Sequence, residues 1–182
     1  MQTLLDGGQI GQLVAAMAGE IAADPVFQLK NDGEQRVALV GIRSRGEILA
    51  QRLAAALSEK LGPRIGIDLG ALDITMYRDD LSSRRAITIP QGTEMNFRLD
   101  DRPVVLVDDV MATGRSVRAA LDALIDFGRP RLIRLAVLID RGGREYPIAA
   151  DYVGLNVVET DAAKNVVVHL KPRDPEDAVY LA

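Results

Sequence analysis

Two adjacent carboxylates, Asp108 and Asp109, follow four apolar residues and precede a Thr-Gly-Arg-Ser turn in the stretch VVLVDDVMATGRS, Val104 to Ser116. Side by side, such acids accept hydrogen bonds from a sugar diol. Thr113, Gly114, Arg115 and Ser116 stand where a helix begins. Unpaired N–H groups and the positive end of the helix dipole are available there to an anion. The Thr113 and Ser116 hydroxyls add donors, and Gly114 lets the backbone approach closely. Diol acceptors one loop away from phosphate donors suit few ligands, and a phosphorylated ribose is the leading one. The same residue types also make an ordinary strand-end acid pair and N-cap.

Three other segments bear on that choice. Gly41 to Gly46, GIRSRG, has the glycine spacing of an ATP-binding P-loop, but Glu47-Ile48 replaces the Lys-Ser/Thr that such a loop needs. It is no Walker motif. Backbone N–H groups with Arg43, Ser44 and Arg45 still suit a polyanion, although a tight turn with surface arginines reads the same way. In DITMYRDDL, from Asp73, Arg78 reaches toward a phosphate, while Asp79 and Asp80 are solvent-facing or loop-capping. The polar stretch from Arg78 to Arg102 exceeds the ~12–15 residues of an ordinary loop, which implies a mobile lid or an exposed hairpin from Ala86–Ile89 to Met95–Phe97. Asp140-Arg141-Gly142-Gly143-Arg144 follows another apolar run. Four loops rich in Arg, Asp and Gly on one sheet edge favour a single anionic ligand over four unrelated turns.

The elements that must position these loops show in the apolar pattern. Val104 to Val107 is apolar at every position, as in a parallel strand buried on both faces. Its acids then fall at the carboxyl end, where open α/β sheets bind ligands. Val117, Ala120, Leu121, Leu124 and Ile125 form one stripe of the following helix, with Gly128 and Pro130 as stop signals. Ile10, Leu13, Val14, Met17, Ala18 and Ile21 mark a first helix ending near Asp24-Pro25, and Ile48 to Leu57 a second, stopping at Gly62-Pro63. Further strands are expected at Val37–Ile42, Ile65–Leu69, Asp73–Tyr77, Ile133–Ile139, Tyr152–Leu155 and Val166–Leu170. Strands alternating with helices predict an α/β fold with a parallel sheet and right-handed crossovers, built as one domain over residues 1–182.

Composition narrows the chemistry. The 182 residues contain no cysteine and one histidine, His169. This excludes a disulfide framework, a thiolate nucleophile and multi-histidine zinc sites, and leaves little room for a Ser-His-Asp triad. A net charge of −4 argues against a surface devoted to nucleic acid, without excluding a local basic patch. No apolar run approaches the ~20 residues of a membrane span and no leader pattern opens the chain, so a cytoplasmic setting is expected.

Taken together, VGIRSRG, DITMYRDDL, VDDVMATGRSVRAALDAL, GRP and LAVLIDRGGREYPIAADYVG, in that order, resemble the type I phosphoribosyltransferases. Within them they resemble the PyrR family of bifunctional pyrimidine operon regulators and uracil phosphoribosyltransferases. The resemblance spans roughly residues 8 to 170. It implies a central, mostly parallel sheet flanked by helices, with a flexible lid or hairpin. It also implies that uracil and phosphoribosyl diphosphate give UMP and diphosphate, with Mg²⁺ accompanying the diphosphate and no protein side chain assigned as a direct metal ligand. Asp108, Asp109 and Arg78 would be the catalytic residues. Asp108, Asp109, Val110, Met111, Ala112, Thr113, Gly114, Arg115 and Ser116 would hold the ribose 5′-phosphate. Arg43, Ser44, Arg45 and Arg78 would hold the diphosphate, and Arg141 and the backbone at Val166 would face the base.

A homodimer or higher homo-oligomer, and UMP-dependent binding of a pyrimidine operon leader RNA, belong to the same resemblance. RNA-binding members use polar and basic residues on the first helix and after the Asp-Arg-Gly turn. Here those places carry Ala15, Ala16, Gly19, Gly143 and Ala149, and only Arg144 remains as an RNA contact. Ala112 also stands where relatives often have a larger side chain. The alternatives are an RNA-binding regulator that uses the site as a nucleotide sensor, and a phosphoribosyltransferase for another base.

Overall fold

The computed structural model describes residues 2–28, 35–78, 92–157 and 165–181. The chain opens with strand β1 (Gln2–Asp6) and helix α1 (Gly7–Ala23). Asp6 caps α1 reciprocally: its Oδ1 accepts from the Gln9 N–H at 2.9 Å, and its own N–H donates to Gln9 Oε1 at 2.9 Å. Strand β2 (Gln35–Ile42), helix α2 (Arg45–Leu61) and strand β3 (Ile65–Leu72) follow. Then come β4 (Pro103–Met111), α3 (Arg115–Leu124), β5 (Leu132–Asp140) and β6 (Tyr152–Asn156). The described chain ends with β7 (Val166–His169) and β8 (Ala178–Leu181).

Five strands form a parallel sheet in the order β3-β2-β4-β5-β6. Its central strand explains the unbroken apolar run. Val105 and Val107 pack toward α1 and α2 with Ile10, Met17, Leu49 and Leu53, while Val104 and Leu106 pack toward α3 with Val117, Ala120 and Leu124. All four β4 side chains are fully buried. Covering both faces leaves the strand ends as the place where polar groups meet a ligand. No helix among the described residues is long and apolar enough to cross a membrane.

Several expectations change. The strand expected at Ile65–Leu69 runs on through Gly70 to Leu72, and Gly70 makes room for the Phe97 ring, whose Cζ would lie 3.3 Å from an added Cβ. Asp73–Tyr77 is not a strand. Asp73 Oδ1 accepts from the Thr75 N–H at 2.9 Å and the Thr75 hydroxyl at 2.6 Å, and this local turn leads into a short 3₁₀ turn, Thr75–Tyr77. The α3 stripe ends at Leu124; Ile125 is 71% exposed. Met95–Phe97 forms no strand, although Glu94 bridges Ala71 in antiparallel fashion. Ala86–Ile89, Asp79, Asp80 and most of the expected lid lie outside the described residues. Finally, β7 does not join the parallel sheet. It belongs to a three-stranded antiparallel sheet, β1-β8-β7, made from both ends of the chain.

Candidate active site

The carboxyl ends of β2 and β4 and the turn after β3 enclose a cleft of about 240 Å³. Its lining includes Arg43, Asp73, Thr75, Arg78, Asp108, Asp109, Val110 and Ser116. Asp108 is only 6% exposed, and its Oδ1 accepts from the Asp109 N–H at 2.9 Å. Burial, reinforced by the neighbouring Asp109 charge, raises the Asp108 pKa well above the usual carboxylate range; the Arg78 charge opposes that rise. Asp108 and Asp109 lie within β4, which runs on to Met111.

A second recess of about 70 Å³, lined by Asp108, Val110, Met111, Ala112, Thr113, Gly114, Ser116 and Val117, adjoins the first. Its wall is the turn from β4 to α3. Gly114 sits at φ 89°, the left-handed region where a Cβ is disfavoured, and an added Cβ would also press on Tyr146 at 3.3 Å. Three successive carbonyls of this turn are engaged from outside. The Arg141 N–H donates to Met111 O at 3.0 Å, and Arg144 Nη1 donates to Ala112 O at 2.8 Å. The N–H groups of Glu145 and Tyr146 donate to Thr113 O at 2.9 and 3.0 Å. In a trans peptide the N–H points opposite to its C=O. Holding these carbonyls outward therefore turns the N–H groups of Ala112, Thr113 and Gly114 the other way. Together with the start of α3, they form a cradle for an anion.

This brace fixes the role of Arg144. Its guanidinium also donates to Ile148 O at 2.9 Å and pairs with Asp140. Those bonds direct the Arg144 guanidinium into the fold. Arg115 likewise turns away from the cradle, with Nε 2.7 Å from Glu145 Oε2 and its guanidinium over the Tyr146 ring. Met111 is buried in the α3-side core, so its side chain is packing and only its backbone meets the site.

The loop from β2 to α2 supplies the opposite wall. An added Cβ on Gly41 would lie 2.4 Å from Glu47 Cα, and one on Gly46 would lie 2.6 Å from Val107 O. Gly41 therefore lets the start of α2 press against the end of β2, and Gly46 lets it press against β4. The Ser44 hydroxyl makes no cap bond, and Arg43 Nη2 lies 2.7 Å from Glu94 Oε1 in an ion pair outside hydrogen-bond angles. Arg45 donates from Nε and Nη2 to both carboxylate oxygens of Asp174, at 2.9 and 2.8 Å. Asp174, Glu94 and Asp140 thus hold site arginines, and none was singled out from sequence for that work. Arg141 Nη1 is 3.4 Å from Asn165 Oδ1, beside Val166, so the two base-facing candidates come together across β5 and β7.

Among the described residues, no cluster of three or more His, Cys, Asp or Glu side chains is placed to hold a metal. One or two cleft carboxylates do suit a magnesium ion that takes its remaining ligands from water and substrate phosphates.

Comparison with known proteins bears on the family and the fold. The phosphoribosyl transferase domain family matches residues 1–173. A bifunctional protein PyrR from Roseiflexus sp. is 53% identical over 154 residues, covering 85% of this chain and 80% of the relative. Another from Deinococcus deserti is 49% identical, covering 98% of this chain and 93% of its own length. A hypoxanthine phosphoribosyltransferase structure from Trypanosoma cruzi superposes with a TM-score of 0.71 at 18% identity, over 100% of this chain and 91% of that one. At that identity the likeness concerns the fold alone.

Proposed function

The chain belongs to the phosphoribosyl transferase family, among its PyrR members, and on that premise we propose that it is a uracil phosphoribosyltransferase. Uracil and phosphoribosyl diphosphate give UMP and diphosphate. The observation that carries the reading is the outward pull on the Met111, Ala112 and Thr113 carbonyls, which aims a row of N–H donors into a recess directly after the Asp108–Asp109 pair.

The 5′-phosphate sits in that recess, on the N–H groups of Ala112 to Gly114 and the Thr113 and Ser116 hydroxyls. Asp108 and Asp109 accept hydrogen bonds from the ribose hydroxyls. Arg78, Arg43 and the backbone of Ser44 and Arg45 face the diphosphate, and Arg141 and Val166 face the base. The bond from C1′ to the diphosphate oxygen breaks, a bond from C1′ to the uracil ring nitrogen forms, and the proton of that nitrogen passes to the released diphosphate or to solvent. Positive charge develops on the ribose in between, so catalysis is positioning plus charge stabilisation, with no covalent nucleophile. Magnesium, when bound, would neutralise the diphosphate charge, and Asp108 and Asp109 would be the cleft carboxylates that face it and the sugar. A cytoplasmic setting suits a chain without cysteine.

Purified protein supplied with Mg²⁺ is expected to convert uracil to UMP. Asp109→Asn should lower kcat/KM by about 10²–10³-fold, the usual scale for removing a charge-stabilising group. A folded wild-type sample without turnover contradicts the reading.

The word bifunctional in the relatives' name favours a second reading, UMP-dependent binding of pyrimidine leader RNA. Against it, α1 carries no lysine or arginine, and Arg144 is committed to the brace. Phosphate neutralisation supplies most RNA affinity. Gel shifts are therefore expected to show no UMP-strengthened preference for leader over scrambled RNA, and a salt-sensitive preference would establish the second activity.

A further inference from the structure

The loop after β7 is riveted to α2 twice. Asp174 takes Arg45, in the first turn of α2, through two parallel hydrogen bonds of 2.9 and 2.8 Å, and also accepts from the Leu170 N–H at 2.8 Å. Asp177 accepts from Arg52 Nη2 at 2.8 Å and from the Lys171 N–H at 2.7 Å. The arginine side chains are similarly exposed, 29% and 28%, but Arg45 meets Asp174 through two nitrogens whereas Arg52 meets Asp177 through Nη2 alone, and the carboxylates are 12% and 24% exposed. The two pairs also differ in what lies beside them. Arg45 precedes Gly46, whose added Cβ would fall 3.2 Å from Asp108 Cα, and it stands close enough to Asp109 for the two charges to interact. Arg52 lies two helical turns farther along.

We propose that Asp174 is a positioning residue for the diphosphate site. By occupying the Nε–Nη2 edge of the Arg45 guanidinium, it keeps that side chain out of the cleft and fixes the Ser44–Arg45–Gly46 backbone in register with the end of β4. Through the Leu170 N–H it ties this loop to the sheet that carries Val166, so the diphosphate and base halves of the site move as one unit. Arg45 then acts through its neighbours' backbone and not as a direct ligand. The inference rests on the proposed diphosphate role of this loop and is independent of which base is used.

The test compares Asp174→Asn with Asp177→Asn in the full chain, each removing the charge of one rivet. Phosphoribosyl diphosphate binding with Mg²⁺ is measured by calorimetry without any base, and kcat and KM are measured with uracil. Asp174→Asn is expected to weaken phosphoribosyl diphosphate binding by about tenfold, a common scale for coupled neighbours, and to raise its KM in parallel. Asp177→Asn should stay within about twofold on both readouts, whatever its own loss of thermal stability. Arg45→Lys keeps the charge without the planar fork and should reproduce the Asp174→Asn binding defect. Equal binding defects in the two rivet variants, or none in either Asp174→Asn or Arg45→Lys, overturn the proposal. Wild-type protein that binds phosphoribosyl diphosphate but does not convert uracil overturns the base assignment and leaves this inference standing. Wild-type protein that binds none overturns both.

Discussion

Replacing Asp108 with Asn is expected to raise the melting temperature at neutral pH while removing most of the transferase activity. The two effects share one cause. Asp108 is buried beside a second carboxylate, and burial together with the Asp109 charge pushes its pKa up on folding. A carboxyl whose folded pKa stands above its unfolded value favours folding fully below the unfolded pKa, and that contribution is lost as pH rises through the folded one. At neutral pH the wild-type protein carries the cost of burying that carboxyl beside Asp109, whether it holds the charge or takes up a proton. Asn keeps the shape and retains an oxygen to accept the Asp109 N–H, now at 2.9 Å, without that charge. A relief of about 1 kcal/mol moves Tm by roughly 2–4 °C in a chain of this size. The stability gap between variant and wild type should narrow as pH falls through the raised pKa. Activity should fall about 10²–10³-fold, because the amide offers the ribose hydroxyls one acceptor and no charge. Thermal melts at several pH values with parallel kinetics check both halves; a lower Tm across the neutral range contradicts the electrostatic account.

Gly46→Ala should damage stability and activity together. The added Cβ meets Val107 O at 2.6 Å and Asp108 Cα at 3.2 Å, and these are backbone atoms of the central strand. They cannot swing aside as a flexible side chain would. Overpacking of this kind costs about 1–3 kcal/mol, and relief requires the start of α2 to retreat from β4. That retreat would separate the diphosphate loop from the acid pair. A displacement on the order of 1 Å at a reacting centre can cost about 10²-fold in rate. The matched control is Gly11→Ala on α1, where an added Cβ meets nothing within 4 Å. That change should be neutral or stabilising by up to about 1 kcal/mol, with normal kinetics. Similar melts and kinetics for the two variants would contradict the close-approach argument.

The parts of the site readable from sequence are those encoded in a short window. The buried run of β4, its terminal acids, the Thr113–Ser116 turn and the α3 stripe lie within one contiguous segment, and their order alone places them at a strand end. The misreadings also have local causes. Asp73 and Thr75 carry a turn signal inside an otherwise apolar stretch, and their side-chain bonds end the strand where the apolar residues suggested a new one. Ile125 continues a helical stripe that the chain itself abandons.

What sequence could not supply is the set of partners. Asp174 meets Arg45 across 129 positions, and β1 and β8 are short strands whose pairing joins the two ends of the chain. No periodicity announces such contacts. Arg144 is a further case: its charge is visible in the sequence, but its donors go mainly to backbone carbonyls, which every residue possesses. An arginine visible in the sequence as a cation is bonded into the frame of the turn between β4 and α3.

The base is the least local feature of the account, because its two candidate contacts, Arg141 and Val166, lie on separate segments of the chain. The decisive measurement is a panel of uracil, hypoxanthine, guanine and orotate, each assayed with phosphoribosyl diphosphate and Mg²⁺ on one folded preparation. The account predicts UMP and stoichiometric diphosphate from uracil, with the three other bases far slower. Efficient turnover of hypoxanthine, guanine or orotate with none of uracil would contradict it.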